Sequence, residues 1–155
     1  SLQSIAKVSK TVLIAVGYNN NQYAVIFRSS DAGVTWTHIF TETTFSMLQS
    51  VAMISANVLI AVGHTSGMNT RGVIYRSTDV GFTWAKVFED TASTYMQAII
   101  AVTPLILSVV GHGVDNFGVA YRQLGDQSYD VFTLPYVDIP KTAGPKVNFF
   151  VRARI

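Results

Sequence analysis

The sequence predicts an all-β chain built from a repeated four-stranded unit, and three observations carry that prediction. First, the 155 residues hold short Val- and Ile-rich runs separated by turn residues, and no 3.6-residue period persists over a useful length. Second, the chain repeats itself. SLQSIAKVSKTVLIAVG (1–17) aligns with MLQSVAMISANVLIAVG (47–63), and AVIFRSSDAGVTWTHIF (24–40) aligns with GVIYRSTDVGFTWAKVF (72–88). Third, one eight-residue turn is spelled twice, as SSDAGVTW (29–36) and STDVGFTW (77–84).

Three units follow, at about 1–44, 45–92 and 93–135. The second is the clearest, with strands expected at SVAMIS, VLIAVGH, GVIYRST and TWAKVFE. Asn57, the Gly67–Gly72 loop and Asp79–Gly81 supply the turns between them. Val12–Ala15 and Val58–Ala61 are apolar without alternation, as strands buried on both faces are. The third unit matches at 95–113 and 118–134, but its copy of the turn has decayed. Its IIAVTPLILSVV reads as a buried helix in isolation. Pro104 and the alignment with the other units argue for two strands and a turn instead.

The duplicated turn has a physical logic. An Asp carboxylate accepts backbone N–H groups one or two residues on, and Gly two positions later takes a positive φ. Thr then re-enters a strand, and Trp offers a large ring to bury. These residues are Ser29, Asp31, Gly33, Thr35 and Trp36, then Ser77, Asp79, Gly81, Thr83 and Trp84. S-x-D-x-G-x-T-W resembles the Asp-box, or bacterial neuraminidase repeat, of sialidases, sortilin-like receptors and many phage virion proteins. That resemblance covers residues 1–135 and implies β-propeller blades, with the box between the third and fourth strands. It makes the box a structural element, and Trp36 and Trp84 are expected to be buried, each within its own unit. Three units fall short of the four to eight blades of a closed propeller. A β-trefoil-like closed domain is the alternative that the threefold repeat permits.

Candidate chemistry is sparse. Arg28, Arg76 and Arg122 recur at equivalent positions, and a trio of arginines resembles the carboxylate clamp of sialidases. Equivalent repeat positions spread around a propeller, however, so pairing within the strands is the expected role. Tyr18, His64 and His112 share another repeat position, at a strand end, and with the arginines form the candidate ligand contacts. Tyr18, Tyr23, Tyr95 and Tyr136 are candidate stacking platforms for a sugar. The family chemistry of sialidases resembles a Tyr nucleophile helped by Glu, but Glu42 and Glu89 form no pair that spacing can nominate. No catalytic residue, cofactor or metal is assigned.

Composition limits the partners. Eleven basic and nine acidic residues give a net charge of +2, scattered along the chain, which gives nucleic-acid binding no footing. No cysteine is present, so thiolate metal sites and disulfides are excluded. The apolar runs are too short for a spanning helix, and no signal peptide or membrane insertion is expected. Residues 136–155 form a Pro-rich lead-in and a closing strand, KVNFFVRARI, whose outward arginines would protect an edge. This tail resembles the C-terminal ends of phage fibre and adsorption proteins. The expected function is therefore a non-enzymatic structural or adhesive module of a phage virion. It would sit in a fibre, a tail or the capsid surface, and assemble with its own copies or neighbouring virion proteins. Host-surface glycan is a candidate ligand, and location in the virion is expected, with a secreted protein as the alternative. A lectin-like carbohydrate-binding module and a fragment of a sialidase-like glycoside hydrolase are the alternative functions.

Overall fold

The computed structural model describes residues 1–67, 69–90, 94–103, 106–113, 118–124 and 128–133. Residues 102, 103, 106, 118–124 and 128–133 are described by backbone alone. Among them every regular element is a strand: β1 (Leu2–Lys7), β2 (Leu13–Tyr18), β3 (Tyr23–Ser29), β4 (Thr37–Met53), β5 (Leu59–Thr65), β6 (Gly72–Ser77), β7 (Ala85–Glu89), β8 (Thr94–Thr103), β9 (Ile106–Gly113), β10 (Gly118–Leu124) and β11 (Ser128–Thr133). Consecutive strands pair antiparallel, in the orders β1 to β7 and β8 to β11. The closing strand expected within 136–155 lies outside the described residues.

β4 corrects the sequence reading. Two separate strands were expected on either side of residue 44, yet one continuous strand of 17 residues passes through. Its Thr37–Phe45 half pairs with β3, and its Ser46–Met53 half pairs with β5. The outer strand of one four-stranded meander thus continues into the inner strand of the next. The first meander is β1–β2–β3 with the first half of β4. The second is the other half with β5–β6–β7, and the third is β8–β11.

The same irregularity recurs in each meander. β1, β4 and β8 shift register at Leu2/Ser4, Leu48/Ser50 and Met96/Ala98. Gly17, Gly63 and Gly111 lie against these bulges. A Cβ on them would collide with the carbonyl oxygens of Ser1, Met47 and Tyr95. The glycine lets the two backbones approach, and the residue after it, Tyr18, His64 or His112, lands at the strand end.

Two seams hold the meanders together. Ile14, Val16, Ala24 and Ile26 of the first pack against Leu48, Val51, Leu59, Ala61, Val73 and Tyr75 of the second. Ile60, Val62 and Ile74 of the second pack against Met96, Leu107 and Val109 of the third. Leu59 to Val62 are buried without alternation because both faces of β5 are covered. Each fully buried aliphatic side chain contributes roughly 1.5–3 kcal/mol.

The tryptophans depart from expectation. Trp84 is half-buried against the first seam, so its cover comes from the neighbouring meander as well as its own. Trp36 is 38% exposed. Both indoles keep a local anchor: Nε1 donates to the Gly33 carbonyl at 3.1 Å and to the Gly81 carbonyl at 3.2 Å.

Candidate functional site

The duplicated turns are closed hydrogen-bond units. Asp31 Oδ1 accepts the Thr35 N–H at 2.9 Å and Oδ2 the Thr35 hydroxyl at 2.5 Å. Asp79 does the same with Thr83, at 2.8 and 2.6 Å. The carboxylate thus reaches four residues on, further than the one or two expected. The nearer amide is taken by the serine: Ser29 Oγ accepts from Gly33 at 2.8 Å, and Ser77 Oγ from Gly81 at 2.9 Å. Gly33 and Gly81 have the expected positive φ, 93° and 83°. Ala32 and Val80 before them also have φ of 61°, which the sequence did not signal. Their N–H groups donate to the Thr11 and Asn57 carbonyls, tying each turn to the first hairpin of its own meander. These bonds hold Asp31 and Asp79 at about 2, below the usual carboxylate range, led in both by the threonine hydroxyl. Carboxylates stabilised this strongly as anions are poor proton donors at neutral pH.

The arginines hold equivalent ladder positions. Arg28, Arg76 and Arg122 take one ladder position per meander, opposite Ile14, Ile60 and Ser108. Arg28 crosses the first seam. Its guanidinium lies 3.9 Å from the centre of the Phe82 ring, and Nε donates to the Val80 carbonyl at 3.5 Å. It latches the second turn onto the first meander. The Arg122 side chain and Tyr136 lie outside the described residues.

One pairing escaped sequence reasoning. The Tyr75 hydroxyl donates to Glu42 Oε2 across the first seam. A tyrosine beside a glutamate has the composition of a glycosidase nucleophile and its helper. The surroundings decide otherwise. Tyr75 is buried in the core, packed edge-on to Phe40 at 5.6 Å, and burial followed by the Glu42 contact pushes its hydroxyl well above the ordinary tyrosine value. A nucleophile needs a lowered pKa and access to substrate. Glu89 is held by Lys86 at 2.9 Å and Arg71 at 3.2 Å. Asp90 accepts the Thr94 hydroxyl at 2.8 Å, and Thr94 Oγ1 accepts the Gly72 N–H at 3.2 Å. All five described carboxylates, Asp31, Glu42, Asp79, Glu89 and Asp90, therefore bond to the protein's own fold.

The residues that the structure does bring together are His64 and His112. β5 and β9 place them at equivalent strand ends, and Tyr95 of β8 stands between. Tyr95 stacks on His112 with centroids 4.7 Å apart and planes at 6°, and lies tilted at 4.9 Å from His64. Two registers explain this: Tyr95 is directly opposite His112, and β8 packs on β5 across the second seam. Thr70 Oγ1 donates to the Tyr95 hydroxyl at 3.4 Å. His64 Nδ1 is buried without a hydrogen-bond partner, a polar atom that the fold leaves unsatisfied. Burial, then the charge on His112, lowers the His64 pKa. Tyr18, the equivalent residue of the first meander, does not join the cluster; its backbone pairs with Ser1. Tyr23 packs tilted against Phe45 instead, with ring centroids 5.6 Å apart. Among the described residues no group of three or more His, Cys, Asp or Glu could hold a metal ion.

Solved structures share the fold. YCF48 bound to D1 peptide matches with a TM-score of 0.62 at 19% identity, over 84% of this chain and 40% of that one. The GH93 alpha-L-arabinofuranosidase of Fusarium graminearum, in complex with arabinobiose, matches with a TM-score of 0.64 at 16% identity, over 88% and 50%. Both are β-propeller-type proteins, so this all-β chain has a propeller-like fold, which favours that reading over the trefoil. At such identities the likeness speaks for fold alone. The chain spans half or less of the length of these structures. No family model and no curated protein sequence matches the chain.

Proposed function

We propose that the three meanders are three Asp-box propeller blades, and that the chain is a non-catalytic structural or adhesive module of a phage virion. One observation carries the non-catalytic part: all five described carboxylates are engaged by the fold, and the tyrosine paired with Glu42 is sealed in a core. The Tyr95–His64–His112 cluster is the contact surface for a ligand, with host-surface glycan as its chemical class. The stacked rings of Tyr95 and His112 offer an apolar platform to a sugar, and the ring nitrogens of half-buried His112 a polar handle. The C-terminal tail supports the virion setting through its resemblance to fibre ends.

A glycoside hydrolase fragment is the second reading, favoured by the arabinofuranosidase likeness. One experiment separates them. The chain is screened on a glycan array and, in parallel, incubated with reporter arabinosides and sialosides. The expected result is binding without turnover, lost in Tyr95→Ala while the melting temperature stays within a few degrees. Turnover that Tyr75→Phe abolishes would establish the hydrolase reading, and absence of glycan binding would remove the glycan-contact part.

A further inference from the structure

A second aromatic pair stands at the same ends of the strands as the Tyr95 cluster. Tyr23 opens β3 and lies directly opposite Phe45 of β4, with ring centroids 5.6 Å apart and planes tilted at 44°. Phe45 is 55% exposed. In the second meander, which is packed on both faces, the position aligned with Tyr23 is Arg71, and it too is exposed. Exposure is thus a property of this strand end rather than of one open side.

Polar groups ring the pair, and two meanders supply them. Asn19 Oδ1 accepts the N–H groups of Asn21 at 2.9 Å and of Tyr23 at 3.1 Å, which closes the loop leading into β3. Gln22 in that loop takes a φ of 61°, a left-handed conformation disfavoured for a residue with a side chain. Its carbonyl accepts the Ser46 N–H at 2.8 Å, and its Oε1 accepts the Ser66 hydroxyl at 2.7 Å across the first seam. The Ser66 N–H donates in turn to the Phe45 carbonyl at 3.2 Å. The backbone on which Phe45 stands is therefore pinned from both sides. The Gln22 Nε2 amide and the exposed side chains of Asn20 and Asn21 are left as neutral donors and acceptors at its rim.

We propose that Tyr23 and Phe45, with Asn20, Asn21 and Gln22 at their rim, form a second sugar subsite, and that the ligand is an extended neutral oligosaccharide laid from this pair to the Tyr95 cluster. The proposal rests on the glycan reading of that cluster. Chemistry argues for a sugar: an open ring receives its apolar face, and amides pair with its hydroxyls. Charge argues for a neutral one. Residues 18–23, 43–46 and 65–67 carry no charged side chain. Glu42 beside them is committed to Tyr75, and Arg71 to Glu89. A sialic or uronic carboxylate would find no arginine fork to pair with here. Continuity argues for length. Met47 is directly opposite His64, and Phe45 lies two residues before it on the same strand, about 7 Å along. His64 then meets Tyr95 at 4.9 Å. The two platforms are neighbours along one end of the sheets, too far apart for one sugar ring to cover both.

The test is calorimetric titration of the full chain with xylose, glucose and arabinose oligosaccharides of one to six units, and with sialyllactose and oligogalacturonides as anionic probes. Affinity is expected to rise with chain length in a neutral series and to be weaker for the anionic probes. Phe45→Ala should weaken the long members roughly tenfold, the loss of about one aromatic contact, and leave the one- and two-unit members unchanged. Gln22→Gly removes the amide while easing the backbone, so it should weaken the long members without lowering the melting temperature. Tyr95→Ala should weaken short and long members alike. Affinity independent of length, preference for the anionic probes, or binding that needs Tyr95 but neither Phe45 nor Gln22 overturns this proposal and leaves the first site standing. Failure of every sugar to bind the wild type overturns both.

Discussion

At the scale of single residues, Asp79 shows how much of a turn one carboxylate can hold. It binds the backbone N–H and the hydroxyl of Thr83 and the hydroxyl of Ser77 at once. Asp79→Ala leaves the Thr83 amide without its acceptor. Thr83 is exposed, so water replaces part of the bond, and the loss is expected near the low end for a hydrogen bond to a charged group, about 1 kcal/mol by urea titration. The pH dependence follows from a folded pKa of about 2 against an ordinary 3.8 for both Asp31 and Asp79. Their contribution is complete above about pH 4 and is lost as pH falls toward 2. Thermal melts should be level from pH 7 to 5 in this respect and fall below pH 4, with Asp79→Asn losing part of that fall. The identity of these residues was legible in the sequence because the same spelling recurs. The reach of the carboxylate and the positive φ at Ala32 and Val80 were not. Both belong to a backbone path that Ala and Val do not advertise. The Tyr75–Glu42 pair was invisible for another reason. Its members lie 33 residues apart on strands whose contact is set by the packing of one meander on the next.

At the scale of elements, the seam between β5 and β8 carries a packing contact that should respond to pH near neutrality. His64, next to the last residue of β5, faces Tyr95 of β8 and, beyond it, His112 of β9. Its pKa is lowered by burial first and by His112 second. A base whose folded pKa is depressed favours the fold in its neutral form. That contribution is complete above about pH 6.5 and is lost as pH falls through the folded value. Wild-type melting temperature should therefore decline between pH 7.5 and 5, a window above the range where Asp31 and Asp79 titrate. His64→Tyr borrows the residue that the first meander uses at this position, Tyr18, and should remove most of the decline. A decline that persists in full would place its source elsewhere. The sequence located both histidines by repeat position but could not bring them together. Their meeting depends on Tyr95, which aligns with Met47 and so carried no repeat signal of its own. The strand pattern was more legible, because Val- and Ile-rich runs recur in each unit between turn residues. The continuity of β4 was not, since the polar run Thr41–Ser46 reads as a turn and is held extended by partners on either side, Phe45 by Tyr23 and Ser46 by Thr65.

At the scale of the molecule, stability should vary along the stack. The second meander has neighbours on both faces, with Leu59–Val62 and Val73–Tyr75 almost wholly inaccessible. Among the described residues, the first and third are each packed on one face. A linear array of meanders that contact only their neighbours behaves as a chain of coupled units, so opening starts at the ends. Native-state hydrogen exchange should find the amides of Ile60, Val62 and Ile74 slowest, because those strands open only when both seams have been lost. The β1 amides of Ile5 and Ala6, paired on one edge alone, should exchange well before them. Exchange at β1 as slow as at β5 would show that opening does not start in the first meander.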